Sequence, residues 1–186
     1  MRIPIVATLL RILWVTVEYI YVARNKLVPA KDWDRNSAKV WDIANAIEPF
    51  GMIMGFLGVG RIELGTSLIM RVGLILLLAG VFLRWTAIHE LGKFFTKTVL
   101  IKKDHELVRT SVYKYTRHPA YTGSLIAHFG LGLCFASWLS ISLSVLPYIV
   151  AALYRMHVEE QALVDAFGDE YLVYANETKR LIPGIY

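Results

Sequence analysis

The chain has 186 residues, enough for about one domain, and carries a formal net charge of +5. Hydrophobic residues make up 56% of it and charged residues only 19%, whereas a soluble domain averages roughly 45–50% and ~25%. This composition excludes a disordered chain, and the single cysteine, Cys134, excludes a disulfide scaffold. We therefore expect an integral membrane protein whose basic excess lies on one side of the bilayer, with no bound metal and no nucleic-acid partner.

Five apolar runs predict membrane helices, since about 20 apolar residues cross a hydrocarbon core of ~30 Å. They cover residues 5–23, 43–59, 68–88, 120–136 and 139–153. Only Ser137 and Trp138 separate the last two runs, which predicts an antiparallel helical hairpin. The tail from Arg155 is polar with apolar residues at helical spacing, which predicts an amphipathic C-terminal helix.

Lysine and arginine are concentrated in two of the loops. Five of them lie in residues 24–42 and seven in residues 89–119. The link between the second and third runs, counted with the start of the third run, offers only Arg61 and Arg71. Because basic loops stay in the cytoplasm, the N-terminus is predicted to lie outside the cell membrane and the C-terminus inside. Residues 89–119 and the tail would then meet at the same cytoplasmic mouth.

The densest group of chemically active side chains lies in residues 105–123. Pro119 suits the first turn of a helix, which places Arg117 and His118 at the N-terminal end of the fourth run. Free N–H groups at a helix N-terminus and an arginine fork both favour an anion, so this stretch predicts a carboxylate site. The alternative is that Arg117 anchors the helix at lipid headgroups and that His118 is an incidental interfacial residue.

A second group opens the tail with two adjacent carboxylates, Glu159 and Glu160. Acidic side chains where a helix leaves the membrane could hold an ammonium group or a sulfonium-bearing cofactor. Neighbouring residues point about 100° apart on a helix, so at most one of the two is expected to face a pocket. The alternative is a solvated helix face.

Several ionisable residues lie inside the apolar runs, and two of them, His128 and Glu48, are considered as candidates. His128 is a candidate functional residue because burying an ionisable group in lipid is costly; the alternative is a neutral imidazole bonded to a neighbouring helix. Glu48 either pairs with Arg84, faces a cavity, or marks a kink beside Pro49.

Six short motifs, in their order and spacing, carry a family resemblance. They are Arg84-Trp85, Leu91-Gly92-Lys93-Phe94-Phe95, His105-Glu106-Leu107-Val108, Arg117-His118-Pro119-Ala120-Tyr121-Thr122-Gly123, Glu159-Glu160 and Phe167-Gly168-Asp169-Glu170-Tyr171. Together they resemble the isoprenylcysteine carboxyl methyltransferase family, integral membrane enzymes that use S-adenosylmethionine and are related to the phospholipid N-methyltransferases. The resemblance implies one all-α membrane domain over residues 1–186, with a two-helix part at 1–69 and a methyltransferase-like core at 70–186.

The resemblance also implies roles for particular residues. The cofactor pocket would be lined by His105, Leu107, Val108, Tyr113, His118, Pro119 and Tyr121. Glu159 and Glu160 would contact the amino-acid end of the cofactor, and Arg117 and Arg180 a carboxylate in the site, so Arg117, Arg180 and Glu160 are the candidate catalytic residues. The chain departs from the family at Ser111-Val112, where a small-residue turn is usual, and at Glu177, where animal enzymes have a basic residue.

Methyl transfer from a sulfonium to a carboxylate requires alignment of the reacting atoms within ~3–3.5 Å in a site that excludes water. We therefore expect an S-adenosylmethionine-dependent methyltransferase that esterifies an isoprenylcysteine-like acceptor, whose lipophilic tail enters from the bilayer. The alternatives are N-methylation of a phospholipid or another lipophilic amine, an enzyme like the sterol reductases, and a non-catalytic membrane scaffold.

Overall fold

A computed structural model describes residues 2–24, 31–101 and 105–186 of the chain. Within them lie α1 (Arg2–Arg24), α2 (Ser37–Phe56), α3 (Thr66–Leu91), α4 (Pro119–Cys134), α5 (Trp138–Phe167) and α6 (Asp169–Glu177). Two short strands, β1 (Lys31–Asp32) and β2 (Leu100–Ile101), pair in antiparallel fashion, and 3-10 turns cover Gly92–Phe94 and Ser111–Lys114. Three of the lysines used to predict orientation, Lys26, Lys102 and Lys103, lie outside the described residues.

The predicted all-helical membrane architecture is confirmed, since each of the five apolar runs lies largely within one of the helices α1–α5. In the described part of the chain, three helical segments are long and apolar enough to cross a membrane: α1, Thr66–Phe94 and α5. α2 and α4 fall outside these limits of length and composition, so the five predicted crossings stay a prediction. α4 has 16 residues, or ~24 Å at 1.5 Å per residue, and α2 carries the charged residues Lys39, Asp42 and Glu48.

α3 and α4 pack with their backbones in contact. A Cβ atom added at Gly80 would lie 2.4 Å from the Ala127 nitrogen, and one at Gly123 would lie 2.5 Å from the Arg84 nitrogen. Small residues allow this close approach, which supplies the van der Waals contact that holds helices together in lipid. It also brings Arg84 Nη1 to 2.8 Å from Ser124 Oγ across the interface.

Buried ionic contacts attach α1 and α2 to the rest of the bundle. Glu48 on α2 accepts a hydrogen bond of 2.8 Å from Arg11 Nε on α1, and its other oxygen lies 2.7 Å from His128 Nδ1 on α4. His128 is therefore bonded to a neighbouring helix, which agrees with the alternative explanation given for His128 from the sequence. The suggested pairing of Glu48 with Arg84 is wrong, because Arg84 Nε donates to Glu18 on α1 at 2.8 Å.

The predicted hairpin of α4 and α5 is confirmed. Ser137 is the N-cap of α5, and its hydroxyl accepts a hydrogen bond of 3.2 Å from the Ser140 N–H. A backbone bridge joins Ser137 to Arg61 in the link between α2 and α3. These two connections therefore lie at the same end of the bundle.

Residues 89–119 and the tail meet at the other end, as predicted. Thr116 forms a parallel backbone bridge with Lys179. The segment before α2 joins them there, because the Trp33 N–H donates to the Val99 carbonyl at 3.0 Å. Three stretches that are distant in sequence therefore build one mouth.

Candidate active site

The first turn of α4 lies against the end of the chain. Pro119 is the first residue of this helix and His118 its N-cap, as predicted. The Arg117 N–H donates to the Lys179 carbonyl at 2.8 Å, and the His118 N–H donates to the Arg180 carbonyl at 3.0 Å. Residues 178–186, the C-terminal strap, are thereby fixed across the mouth by main-chain hydrogen bonds.

Arg117, His118 and Arg180 converge on the carboxylate of Glu160, and we call these four residues the Glu160 cluster. Arg117 Nε and His118 Nε2 each lie 3.2 Å from Glu160 Oε1. Arg180 Nε donates to the same oxygen at 3.1 Å, and Arg180 Nη2 donates to Oε2 at 2.5 Å. The two predicted catalytic arginines, Arg117 and Arg180, thus face one carboxylate position.

The Arg117 side chain points into the protein and not toward lipid headgroups. Its Nη1 donates to the Ala175 carbonyl at 2.6 Å and also to the Thr178 carbonyl at the C-terminal end of α6. With only 12% of its side chain exposed, Arg117 connects Glu160 to the strap.

The neighbouring carboxylate, Glu159, also faces inward. Its Oε1 accepts a hydrogen bond of 2.5 Å from Tyr121 Oη, and its Oε2 lies 3.6 Å from His118 Nδ1. The expectation that at most one of the two glutamates faces the site is therefore wrong. The first turn of α4 presents both His118 and Tyr121 to α5, so both carboxylates find partners.

Arg155 is a buried site residue that the sequence motifs did not indicate. Its Nε donates to Tyr121 Oη at 2.9 Å and lies 3.3 Å from Glu159, while its Nη2 donates to the Lys97 carbonyl at 2.5 Å. Arg155 stands four residues before Glu159 on α5, a spacing that places the two on one helix face. This spacing, at the end of an apolar run, is the sequence signal from which Arg155 could have been predicted.

Asp34, just before α2, completes this arrangement at 3.6 Å from Arg155 Nη1. Burial raises the pKa of Asp34, but hydrogen bonds from the Ala38 N–H, the Ser37 hydroxyl and the Val99 N–H, together with the Arg155 charge, bring that pKa below its ordinary value. The carboxylate therefore stays ionised and ties the segment before α2 to the mouth.

Tyrosines from α6 and from the turn before α4 pack beside the Glu160 cluster. Tyr174 Oη donates to the Tyr113 carbonyl at 2.8 Å. Tyr171 is 2% exposed, and its hydroxyl has no hydrogen-bond partner among the described residues. Burial, followed by the nearby Glu160 charge, raises the pKa of Tyr171. The hydroxyl therefore stays protonated and is a donor that no described residue accepts from.

The remaining predicted pocket residues form apolar and aromatic packing next to the mouth. The His105 ring stacks on Phe94 at a centroid distance of 4.6 Å and meets the edge of Phe167 at 5.7 Å. Val108 packs on the cluster formed by Ala87, Tyr113 and Ala120, and Leu107 is half-buried. Their role in binding a cofactor stays a prediction.

Comparison with known proteins relates this arrangement to one family. The sequence model of the isoprenylcysteine carboxyl methyltransferase (ICMT) family matches residues 73–165, half of the chain. The chain belongs to the ICMT family. The matched region contains Arg117, His118, Glu159 and Glu160, whereas α1, α2 and the strap with Arg180 lie outside it.

Relatives from a yeast and a plant are named as isoprenylcysteine O-methyltransferases. The protein-S-isoprenylcysteine O-methyltransferase of Saccharomyces cerevisiae is 35% identical over 125 residues, which cover 66% of this chain and 52% of the yeast protein. Protein-S-isoprenylcysteine O-methyltransferase B of Arabidopsis thaliana is 34% identical over 114 residues, covering 60% and 57%. The chain thus spans about half the length of the curated relatives it matches.

A solved structure of the family has the same fold. It is described as the eukaryotic intramembrane Ras methyltransferase ICMT, and it matches with a TM-score of 0.65 and 27% sequence identity. The match covers 78% of this chain and 52% of that one. The helical bundle is therefore shared with an intramembrane member of the ICMT family.

Proposed function

We propose that the chain is a membrane methyltransferase that esterifies the carboxylate of an isoprenylcysteine-like acceptor with the methyl group of S-adenosylmethionine. The observation that carries this proposal is the convergence of Arg117 and Arg180 on one carboxylate position at the mouth of the bundle. Membership of the ICMT family and the names of the relatives support the reaction class.

The residues at the mouth fit the proposed methyl donor. Glu159 and Glu160 supply the negative charge that an ammonium group requires. The buried Tyr171 hydroxyl, which has no acceptor among the described residues, supplies a hydrogen-bond donor for a polar ligand. When bound, S-adenosylmethionine provides an electrophilic methyl carbon on a sulfonium.

The acceptor carboxylate needs no general base, because it is already ionised. An ionised acceptor would take the methyl group from the donor's sulfonium without losing a proton, so the residues at the mouth would only have to hold and orient the two ligands. The guanidinium groups of Arg117 and Arg180 would orient the acceptor oxygens through their planar forks. The rate gain then comes from alignment and from exclusion of water.

The proposed orientation places this mouth in the cytoplasm and the N-terminus outside the cell membrane. The arginines and lysines of the segments that build the mouth support it, because such residues stay on the cytoplasmic side. A lipophilic tail in the bilayer would then leave the acceptor carboxylate at the membrane surface, where the donor arrives from solution.

The decisive experiment offers different acceptors to the full chain in nanodiscs with methyl-labelled S-adenosylmethionine. We expect a base-labile methyl ester on N-acetyl-S-farnesylcysteine and none on its carboxamide. Label on the amine of phosphatidylethanolamine instead would favour lipid N-methylation. If no acceptor is labelled and the donor does not bind, the result would favour a non-catalytic membrane scaffold.

The charge that holds the donor's ammonium group can be tested at Glu160. Glu160→Gln should weaken S-adenosylmethionine binding by about 1–3 kcal/mol, the range for a hydrogen bond to a charged group. Calorimetry on the full chain measures this loss, and Glu159→Gln shows whether the neighbour contributes as well. Glu170→Gln is the matched control, because Glu170 pairs with Arg109 on the exposed surface. Unchanged affinity in a folded Glu160→Gln variant would remove Glu160 from the donor site.

A further inference from the structure

The Glu160 carboxylate is fully used by the protein's own groups. Four nitrogens contact it: Arg117 Nε, His118 Nε2, Arg180 Nε and Arg180 Nη2. A carboxylate offers about four lone-pair sites. A donor ammonium can therefore reach Glu160 only if at least one of these contacts opens.

Arg180 is the partner that can leave most easily. Its side chain is 36% exposed, against 12% for Arg117 and 5% for His118. The Arg180 carbonyl is held by Thr116 Oγ1 at 2.7 Å and by the His118 N–H. The side chain can therefore rotate while the strap keeps its place, and such rotamer changes take picoseconds to nanoseconds in exposed residues.

The same contact stands in the way of the acceptor. Arg180 Nε and Nη2, one of the two bidentate edges of its guanidinium, already donate to Glu160. The other edge shares Nη2, and its Nη1 donates to the Tyr186 hydroxyl at 3.1 Å. Arg117 is less able to turn away, because its Nη1 is bound to the carbonyls of Ala175 and Thr178. The ion pair between Arg180 and Glu160 therefore occupies both the group that would bind an anion, Arg180, and the group that would bind a cation, Glu160.

We propose that the Arg180–Glu160 ion pair is a shared placeholder, in which the acceptor carboxylate takes over Arg180 and the donor ammonium takes over Glu160. This inference rests on the proposed function. The ligand that binds first has to open the ion pair, which lowers its affinity. The second ligand finds the pair already open and binds without that free-energy cost. By linkage, each ligand raises the affinity for the other by the same factor.

The test is the affinity for S-adenosylhomocysteine, an unreactive probe with the donor's amino-acid end. It is measured by calorimetry on the full chain in nanodiscs, alone and with saturating N-acetyl-S-farnesylcysteine or its carboxamide. We expect the acid to lower the Kd at least fivefold, the lower end of typical coupling between sites, and the carboxamide to leave it unchanged.

A variant and its control connect the coupling to the ion pair. Arg180→Gln removes two of the four contacts to Glu160, so the Kd without acceptor should fall at least threefold and the acid should lower it no further. Lys179→Gln is the matched control on the strap, since Lys179 holds Arg117 through its carbonyl and not its side chain, and it should keep the full coupling.

Three results would overturn the placeholder: an unchanged Kd when the acid is added, equal coupling by the carboxamide, or weaker probe binding in Arg180→Gln. If the methyl ester still forms in any of these cases, the proposed function stands and only the placeholder fails. If the probe does not bind and no ester forms, both fail.

Discussion

Arg117 holds three groups with one guanidinium. Its Nε contacts Glu160, and its Nη1 donates to the main-chain carbonyls of Ala175 and Thr178. A lysine ammonium carries the same charge but lacks the planar fork that fixes several acceptors at once. The residue type therefore matters here as well as the charge.

We expect Arg117→Lys to remain folded but to lower turnover at least tenfold, which corresponds to about 1.4 kcal/mol of transition-state stabilisation. The measurement is kcat for methyl-ester formation together with donor affinity on the same sample. Arg109→Lys is the control, because Arg109 is a half-exposed arginine that pairs with Glu170 outside the Glu160 cluster, and this variant should keep its turnover. An Arg117→Lys variant with full activity would show that the charge alone suffices.

The sequence predicted the residues of the Glu160 cluster but not all of their surroundings. The helix start at Pro119 and the Glu159-Glu160 pair are local signals that can be seen in one stretch of chain. Arg155 has a local signal, its four-residue spacing from Glu159. Asp34 has none, because its contact with Arg155 joins the segment before α2 to α5, and no local pattern records such a distant pairing.

The first two helices are joined to α4 by a buried triad of side chains, Arg11, Glu48 and His128. Arg11 also lies 4.8 Å from the Trp14 ring centroid, so its charge is shielded from lipid on that side. Removing one member of a buried ion pair leaves an uncompensated charge, which costs more than the pair contributes. The triad therefore makes α1 and α2 part of the same folded unit as the site.

Arg11→Met is expected to lower the free energy of unfolding by about 3–5 kcal/mol, the usual loss when one partner of a buried pair is removed. Thermal unfolding in detergent measures it. Arg2→Met at the exposed start of α1 is the control and should leave the Tm unchanged. If Arg11→Met unfolds at the wild-type temperature, the triad does not stabilise the bundle.

Helix positions followed from hydropathy, but helix ends depended on tertiary contacts. The fifth apolar run ends near residue 153, whereas α5 continues to Phe167 because its polar last turns find partners in Tyr121 and the strap. It stops where Gly168 adopts a φ of +53°, a value that glycine reaches without strain. The two-residue strands β1 and β2 left no readable pattern in the sequence.

The two ends of the bundle differ in chemistry. One end collects the Glu160 cluster, Arg155 and Asp34 from stretches spread over the whole chain. The other end carries the link between α2 and α3, where Leu64 is 90% exposed. If arginine and lysine decide the orientation, these two ends face opposite sides of the membrane.

Cysteine labelling tests this orientation in cells. The native Cys134 is buried in α4, so the wild-type chain should not react with a membrane-impermeant maleimide and is the control. Leu64→Cys should be labelled on intact cells, because the link between α2 and α3 is proposed to lie outside. Lys114→Cys, at an exposed position beside Tyr113, should be labelled only after the membrane is permeabilised. Labelling of Lys114→Cys on intact cells, or of both variants from the same side, would contradict a cytoplasmic mouth.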